Sequence, residues 1–458
     1  MLGLRRSVTD RRLPVLVAPL IAALAATAAR AEVTISAAAT KHMNCVANVC
    51  SPTAINAVLN AASLQTMLAS ASVTVTSGKR AQDIVVAAPL TWTSGVTLTL
   101  DSWRTLTVSR PVTVTGTGGL TILTNDGGTG GMLSIGGKGH VTFASLSSPL
   151  TIDGHAYTLA NSVATLSGNI ASDPRGYHAL ANSYDGHSDG SYPTAAITTQ
   201  FLGTFDGLGN TISRLTINSG SGSAGFFGFV YGGTVEHLRL TKLTISGKGS
   251  NEAKGVIGGL AASIYKGILF QNIVSGAVEG SRNNTIGGLA GTNEGGMINE
   301  CYADVLITGG ATSRVGGLIG VNTGKIANSY SIGSVTVGSG GYGGGLIGYN
   351  ECFSGTCGSD SESYSTGLLT GATDATVGGL IGADTTSGEI ADTYWDTSTS
   401  GITNLSQGAG NVPNDPGVAG LSTAQLQASL PPGFDPSVWA EDPNINGGLP
   451  YLLANPPL

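Results

Sequence analysis

Val315-Gly-Gly-Leu-Ile-Gly-Val-Asn-Thr-Gly-Lys-Ile-Ala-Asn-Ser-Tyr330, followed by Gly333-Ser-Val-Thr-Val337, is the stretch from which the fold can be read. Related copies begin at Ile286 (IGGLAGTNEGGMINECY), at Gly343 (Gly343-Gly-Gly-Leu-Ile-Gly-Tyr-Asn350, then SESY) and at Val377 (VGGLIGADTTSGEIADTYW). A degenerate copy starts at Val256, and Gly225-Phe-Phe-Gly-Phe229 is a more distant echo. The leucines at the reference position of the repeat are Leu260, Leu289, Leu318, Leu346 and Leu380, with spacings of 29, 29, 28 and 34. A period near 29 that holds three short apolar runs, split by Gly and Asn turns, suits one coil of a parallel β-solenoid. Each run is then a strand that pairs with its equivalent in the next coil. Equivalent positions stack, so Asn293, Asn322, Asn350 and Asp384 are expected to form a ladder at one turn, and the leucines a core column. The long spacing holds Cys352 and Cys357, which predicts a stapled loop pushed out of one repeat.

The remainder of the chain continues the pattern without the consensus. Val73-Thr-Val-Thr76, Val96-Thr-Leu-Thr-Leu100, Leu106-Thr-Val108, Val112-Thr-Val-Thr115 and Leu120-Thr-Ile122 alternate apolar and threonine residues, a half-buried strand signal. Phe201 to Ile217 reads as a further strand-turn-strand coil. The expected fold is all-β, a right-handed parallel β-helix with short helical caps. Its divisions are a signal peptide at 1–31, an N-terminal cap with short helices at 32–72, irregular coils at 73–224, repeat coils at 225–400 and a C-terminal cap at 401–458. In the first cap, Ile55, Val58, Leu59, Leu64, Met67 and Leu68 lie at helical spacing after Ser51-Pro52. In the last, Ser422 to Leu430 is a short helical pattern, and Trp439 with Leu449 to Leu453 supplies bulk to close the end.

Composition agrees with this reading. The chain has 458 residues, of which 70 are Gly and 17 Pro, without the strict triplet period of collagen. Mean hydropathy is +0.19 and only 11% of residues are charged, against about 25% in typical proteins, which argues against disorder. The 21 basic residues against 28 acidic ones argue against a nucleic-acid partner. Arg5, Arg6, Arg11 and Arg12 precede an apolar run ending in Ala29-Arg30-Ala31, the pattern of a secretory signal cut after Ala31. Cleavage leaves 16 basic and 27 acidic residues and no second hydrophobic span, so no transmembrane anchor is expected. Export permits disulfides, predicted as Cys45–Cys50 and Cys352–Cys357 with Cys301 a free thiol.

The Gly-Leu-small apolar-Gly cores Gly317-Leu-Ile-Gly320, Gly345-Leu-Ile-Gly348 and Gly379-Leu-Ile-Gly382 resemble the GLUG-repeat family. The wider arrangement, including Leu150-Thr-Ile-Asp-Gly-His-Ala-Tyr-Thr-Leu159, Tyr394-Trp-Asp-Thr397 and Gly420 to Leu426, is similar to filamentous-haemagglutinin-like secreted proteins of Gram-negative bacteria. That resemblance implies a right-handed parallel β-helix displayed or released outside the cell, commonly with an adhesive role. Some GLUG-bearing proteins are peptidases, but the six histidines (His42, His140, His155, His178, His187 and His237) never fall at metal-ligand spacing, and no Gly-x-Ser-x-Gly elbow with triad partners occurs.

β-Helix polysaccharide lyases and hydrolases are the enzymatic alternative, and a structural matrix component is a third reading. An enzyme of the first kind needs clustered carboxylates on neighbouring coils. Asp153, Asp173, Arg175, Asp206 and Arg214 are the nearest candidates, each at a place where a turn also favours it. Asp185-Gly-His-Ser-Asp-Gly190 has calcium-loop composition but neither the EF-hand length nor the nonapeptide repeat. No catalytic, cofactor-binding or metal-ligating residue is therefore expected. Tyr302, Tyr330, Tyr364 and Tyr394 recur at equivalent positions after the small residues Cys301, Ser329, Ser363 and Thr393. If the small residues point inward, the tyrosines form an outward stripe able to grip a neutral glycan or a host or matrix protein. The expected function is a non-enzymatic, secreted or surface-exposed, adhesin-like binding protein.

Overall fold

The repeat unit folds into five short strands, Arg314–Gly316, Ile319–Asn322, Lys325–Ala327, Tyr330–Ser331 and Val335–Val337. This computed structural model describes residues 31–220, 222–247, 254–386 and 389–457, so the expected leader lies outside the described residues apart from Ala31. Each strand pairs in parallel with its counterparts one repeat away. Val315 faces Ile286 and Gly343, Ile319 faces Ala290 and Ile347, and Ile326 faces Ile298 and Asp360. Three stacked sheets result, one running from Val256–Gly258 to Thr376–Gly378 and another from Phe227–Tyr231 to Ile381–Asp384. The chain is thus all-β with long parallel-strand sheets, an arrangement compatible with a β-helix or solenoid.

Register in these sheets is set by what each position buries. Leu260, Leu289, Leu318, Leu346 and Leu380 are all fully buried, as one column of the core. Asn293 donates from Nδ2 to Asn322 Oδ1 at 2.9 Å, Asn322 to Asn350 Oδ1 at 3.0 Å, and Asn350 to Asp384 Oδ1 at 3.3 Å. These amides are buried, and each satisfies its neighbour along the stack, which a slip by one residue would forbid. The glycine of the motif is sterically required: a Cβ on Gly317 would lie 2.0 Å from the carbonyl oxygen of Gly345. Cys352 and Cys357 form a disulfide across a small exposed hairpin that leaves the repeat intact, and Cys45–Cys50 bridges another hairpin. Cys301 is free and buried.

The earlier residues use the same stacking with other side chains, for example Leu98–Leu120–Leu150 in register. Within 32–72 the helical segment is shorter than its apolar spacing predicts. Ala57–Asn60 is a strand paired with Val33–Ser36, burying Ala57 and Leu59 at period two, and only Ala61–Leu68 is helical. An available parallel strand edge outcompetes the first helical turn, whose nucleation is costly. The Asn60 side chain caps that helix by accepting from Ser63 N, and Leu64 and Leu68 close over the core. A second helix, Val163–Ser172, interrupts the strands where none was expected; it buries Val163, Leu166 and Ile170. Near the C-terminus the helix is one turn, Thr423–Leu426, with a Ser422 capping box.

Candidate functional site

The tyrosine stripe does form, but it is not free. Tyr302, Tyr330, Tyr364 and Tyr394 are in register, and the Tyr302–Tyr330 and Tyr330–Tyr364 rings stack at 4.8 and 5.0 Å. Tyr330 and Tyr364 are nevertheless 0% exposed. The C-terminal segment runs back along this face instead of closing the end, placing Phe434, Trp439 and Leu452 against the rings. Tyr364 OH donates to the Pro450 carbonyl at 2.6 Å, Tyr394 OH to the Pro432 carbonyl at 2.8 Å, and Trp439 Nε1 to Asn328 Oδ1 at 3.1 Å. Asn455 reaches the carbonyls of Asn272 and Glu300. The expected outward-facing binding stripe is therefore corrected to an intramolecular packing seam, because 58 residues of the chain beyond position 400 supply the partner that burial of four aromatic faces requires.

The sequence-derived polar candidates go to different partners. Asp153 accepts from Thr124 N at 2.7 Å, and Asp173 accepts from the amide of Arg175 at the end of the second helix. Arg214 pairs with Asp185, and Asp189 accepts from the hydroxyls of Tyr184 and Tyr192, so the carboxylates of the 185–190 loop are already engaged. Asp206 alone joins a cluster. It is the register partner of Glu236 on the adjacent strand, and His237 follows directly. Asp206 Oδ1 accepts from Leu208 N at 2.7 Å and lies 3.0 Å from His237 Nδ1. Asp206 is 0% and His237 3% exposed. Glu236 is half-buried as a residue, but its carboxyl is desolvated, which with Asp206 beside it pushes its pKa up to about 7. Burial pulls the His237 imidazole down, and Asp206 more than reverses this, leaving it raised to about 9. Glu236 and His237 escape a search for local motifs because their partner lies 30 residues back; the signal that would find them is the repeat period itself.

A second acidic group lies at the surface. Asp101 ends a strand one rung from Leu123 and meets Asp126, and burial together with that carboxylate pushes Asp101 up to about 6. Asp126 and Asp153 line an open groove of about 330 Å³ with Leu123, Thr124, Asn125 and Gly154. Two carboxyls that meet beside an open groove, one of them raised by burial, are of the residue type that acid–base chemistry uses.

An accessible aromatic pair lies at another corner of the repeat. Tyr231 and Tyr265 are register partners whose rings stack at 4.8 Å and 18°, and Tyr231 is 41% exposed. Across the following turn, Ile268 and Met297 are also exposed and in register. Lys266 Nζ sits 5.3 Å from the Tyr265 ring centroid. No helix among the described residues is long and apolar enough to cross a membrane. No protein-family model matches this chain, and no curated protein matches it.

Proposed function

We propose that the chain is a secreted or surface-exposed, non-enzymatic binding protein of adhesin type, a right-handed parallel β-helix related to the GLUG-repeat and filamentous-haemagglutinin-like proteins of Gram-negative bacteria. The observation that carries the reading is the stacked Tyr231–Tyr265 pair, with Tyr231 exposed and Tyr265 half-buried, beside the exposed Ile268 and Met297. Flat aromatic faces held rigidly by a sheet bind sugar rings or apolar side chains with little loss of conformational freedom. Stacked rungs offer successive contacts to a long ligand, so weak individual contacts add through avidity. The two disulfides fit an oxidising, extracellular setting. The preferred ligand is a neutral glycan or a host or matrix protein, since the acidic chain disfavours polyanions. An array of neutral glycans and matrix proteins, probed with the mature chain, tests this. Tyr231→Ser with Tyr265→Ser is expected to abolish the strongest signal while the β-sheet circular dichroism persists; equal binding by the double variant would sink the assignment.

A polysaccharide-active β-helix enzyme is the second reading, favoured by the Asp101–Asp126 pair beside the Asp153 groove. It requires product release from glycans by the wild-type chain and its loss in Asp126→Asn. The absence of product with wild-type chain would remove it.

A further inference from the structure

We propose that Asp206, Glu236 and His237 form a structural site for a single divalent transition-metal ion, zinc by its donor set, which clips two neighbouring strands together where the irregular and repeat-bearing parts of the chain meet. One donor atom from each residue lies within 4.8 Å of the other two. A tetrahedral zinc ion with bonds of about 2.0–2.2 Å has ligand–ligand edges of roughly 3.3 Å, so a modest side-chain contraction brings these three donors to bonding distance and leaves the fourth position to a water molecule. The strand register supplies the preorganisation. Asp206 and Glu236 occupy paired positions on parallel strands, and His237 sits at the turn that ends the second one, at φ 51°.

An unpaired, fully buried carboxylate oxygen points to a ligand at this cluster. The Leu208 amide and His237 Nδ1 both use Asp206 Oδ1, while Asp206 Oδ2 is buried and makes no hydrogen bond. His237 Nε2, on the far side of the ring, is buried with only a poorly formed hydrogen bond to the Leu133 backbone. Buried polar atoms left unpaired are uncommon in folded proteins and call for a partner. The imidazole nitrogen disfavours calcium and magnesium, which take oxygen ligands, and favours zinc among the available ions. The adjacent strand continues the column with Phe270, whose ring meets His237 edge-on at 5.9 Å. The low exposure of Asp206 and His237 makes the site a fastening rather than a place where substrate is turned over.

The test uses the full mature chain with its disulfides formed. Metal content is measured after exhaustive dialysis, and chelator-treated protein is then titrated with zinc and, for its absorption spectrum, with cobalt(II). One zinc per chain is expected, together with a rise in Tm on adding zinc back and visible cobalt d–d bands. His237→Gln is expected to abolish retention and Glu236→Gln to weaken it by about tenfold or more. Asp126→Asn, in the separate surface groove, is expected to leave retention unchanged. No zinc uptake by the wild-type chain, absent cobalt bands, or equal zinc retention in both cluster variants would each overturn the site. If His237→Gln does not fold, the Glu236→Gln titration and the wild-type cobalt spectrum decide the matter.

Discussion

Asp360 stands where the fold calls for an apolar residue, and replacing it with valine is expected to stabilise the protein. Its column in the core reads Leu269, Ile298, Ile326, Asp360, Ile390 from strand to strand. Both carboxyl oxygens are buried without a well-formed hydrogen bond, and Asp360 is 1% exposed. Burial pushes its pKa up to about 8, against a partial downward pull from the Ser363 hydroxyl and the Ser361 amide. The unfolded chain releases this proton near 3.8 and the folded chain near 8, so the folded state holds the extra proton between those values. Stability from this group is therefore fully present below the lower value and is lost as pH rises toward the upper one. Each pH unit in the window costs about 1.4 kcal/mol, so that near neutrality the loss is on the order of 4 kcal/mol. Asp360→Val removes the titration and buries two methyl groups against Ile326 and Ile390, with an expected gain of about 2–5 kcal/mol at pH 7. Urea unfolding followed by tryptophan fluorescence at pH 5, 7 and 8.5 measures it. The wild-type midpoint is expected to fall more steeply with pH than that of the variant. Parallel pH dependences, or a variant less stable than wild type at pH 8.5, would refute the argument.

Three further outcomes follow from the packing. Trp439→Ala is expected to cost about 3–5 kcal/mol, because it empties the space between the tyrosine seam and the returning segment; hydrophobic-dye binding and protease sensitivity near the C-terminus are expected to rise, and an unchanged dye signal would contradict the seam. Asn322→Ala interrupts the amide ladder on both sides, leaving Asn293 Nδ2 and Asn350 Oδ1 short of a partner, with an expected loss of about 2–4 kcal/mol by chemical denaturation. Burial pushes the Cys301 thiol up to about 12, so iodoacetamide at pH 8 is expected to leave it unmodified until denaturant is added, and labelling of the native chain would show an opening of the core.

Much of the architecture was legible because a stacked repeat turns sequence periodicity directly into spatial neighbours. The spacing of the Gly-Leu-Ile-Gly cores identified which residues align from layer to layer, and the Leu column and the Asn293–Asn322–Asn350–Asp384 ladder are consequences of that alignment, whereas the two local disulfides were legible from their five-residue separations alone. The Ala57–Asn60 segment was misread because its apolar positions satisfy a helical face and an alternating strand equally well, and pairing with Glu32–Ser36 settles the choice from outside the segment. Asp360 is placed from outside its own segment too, by the strand register that sets it between two isoleucines.

Periodicity by itself determined which residues stack, because in a parallel array a residue's neighbour is the one a fixed number of positions away. It also correctly placed the tyrosines on top of one another. Whether that stack meets solvent depended on residues 431–455, which carry no copy of the repeat and whose route is set by apolar burial against the rings and by hydrogen bonds from Tyr364, Tyr394 and Asn455. Likewise the Asp206–Glu236–His237 cluster arises from one strand pairing and one left-handed turn. Contacts of that kind join parts of the chain that share no pattern, so only the folded arrangement of backbone and side chains decides them.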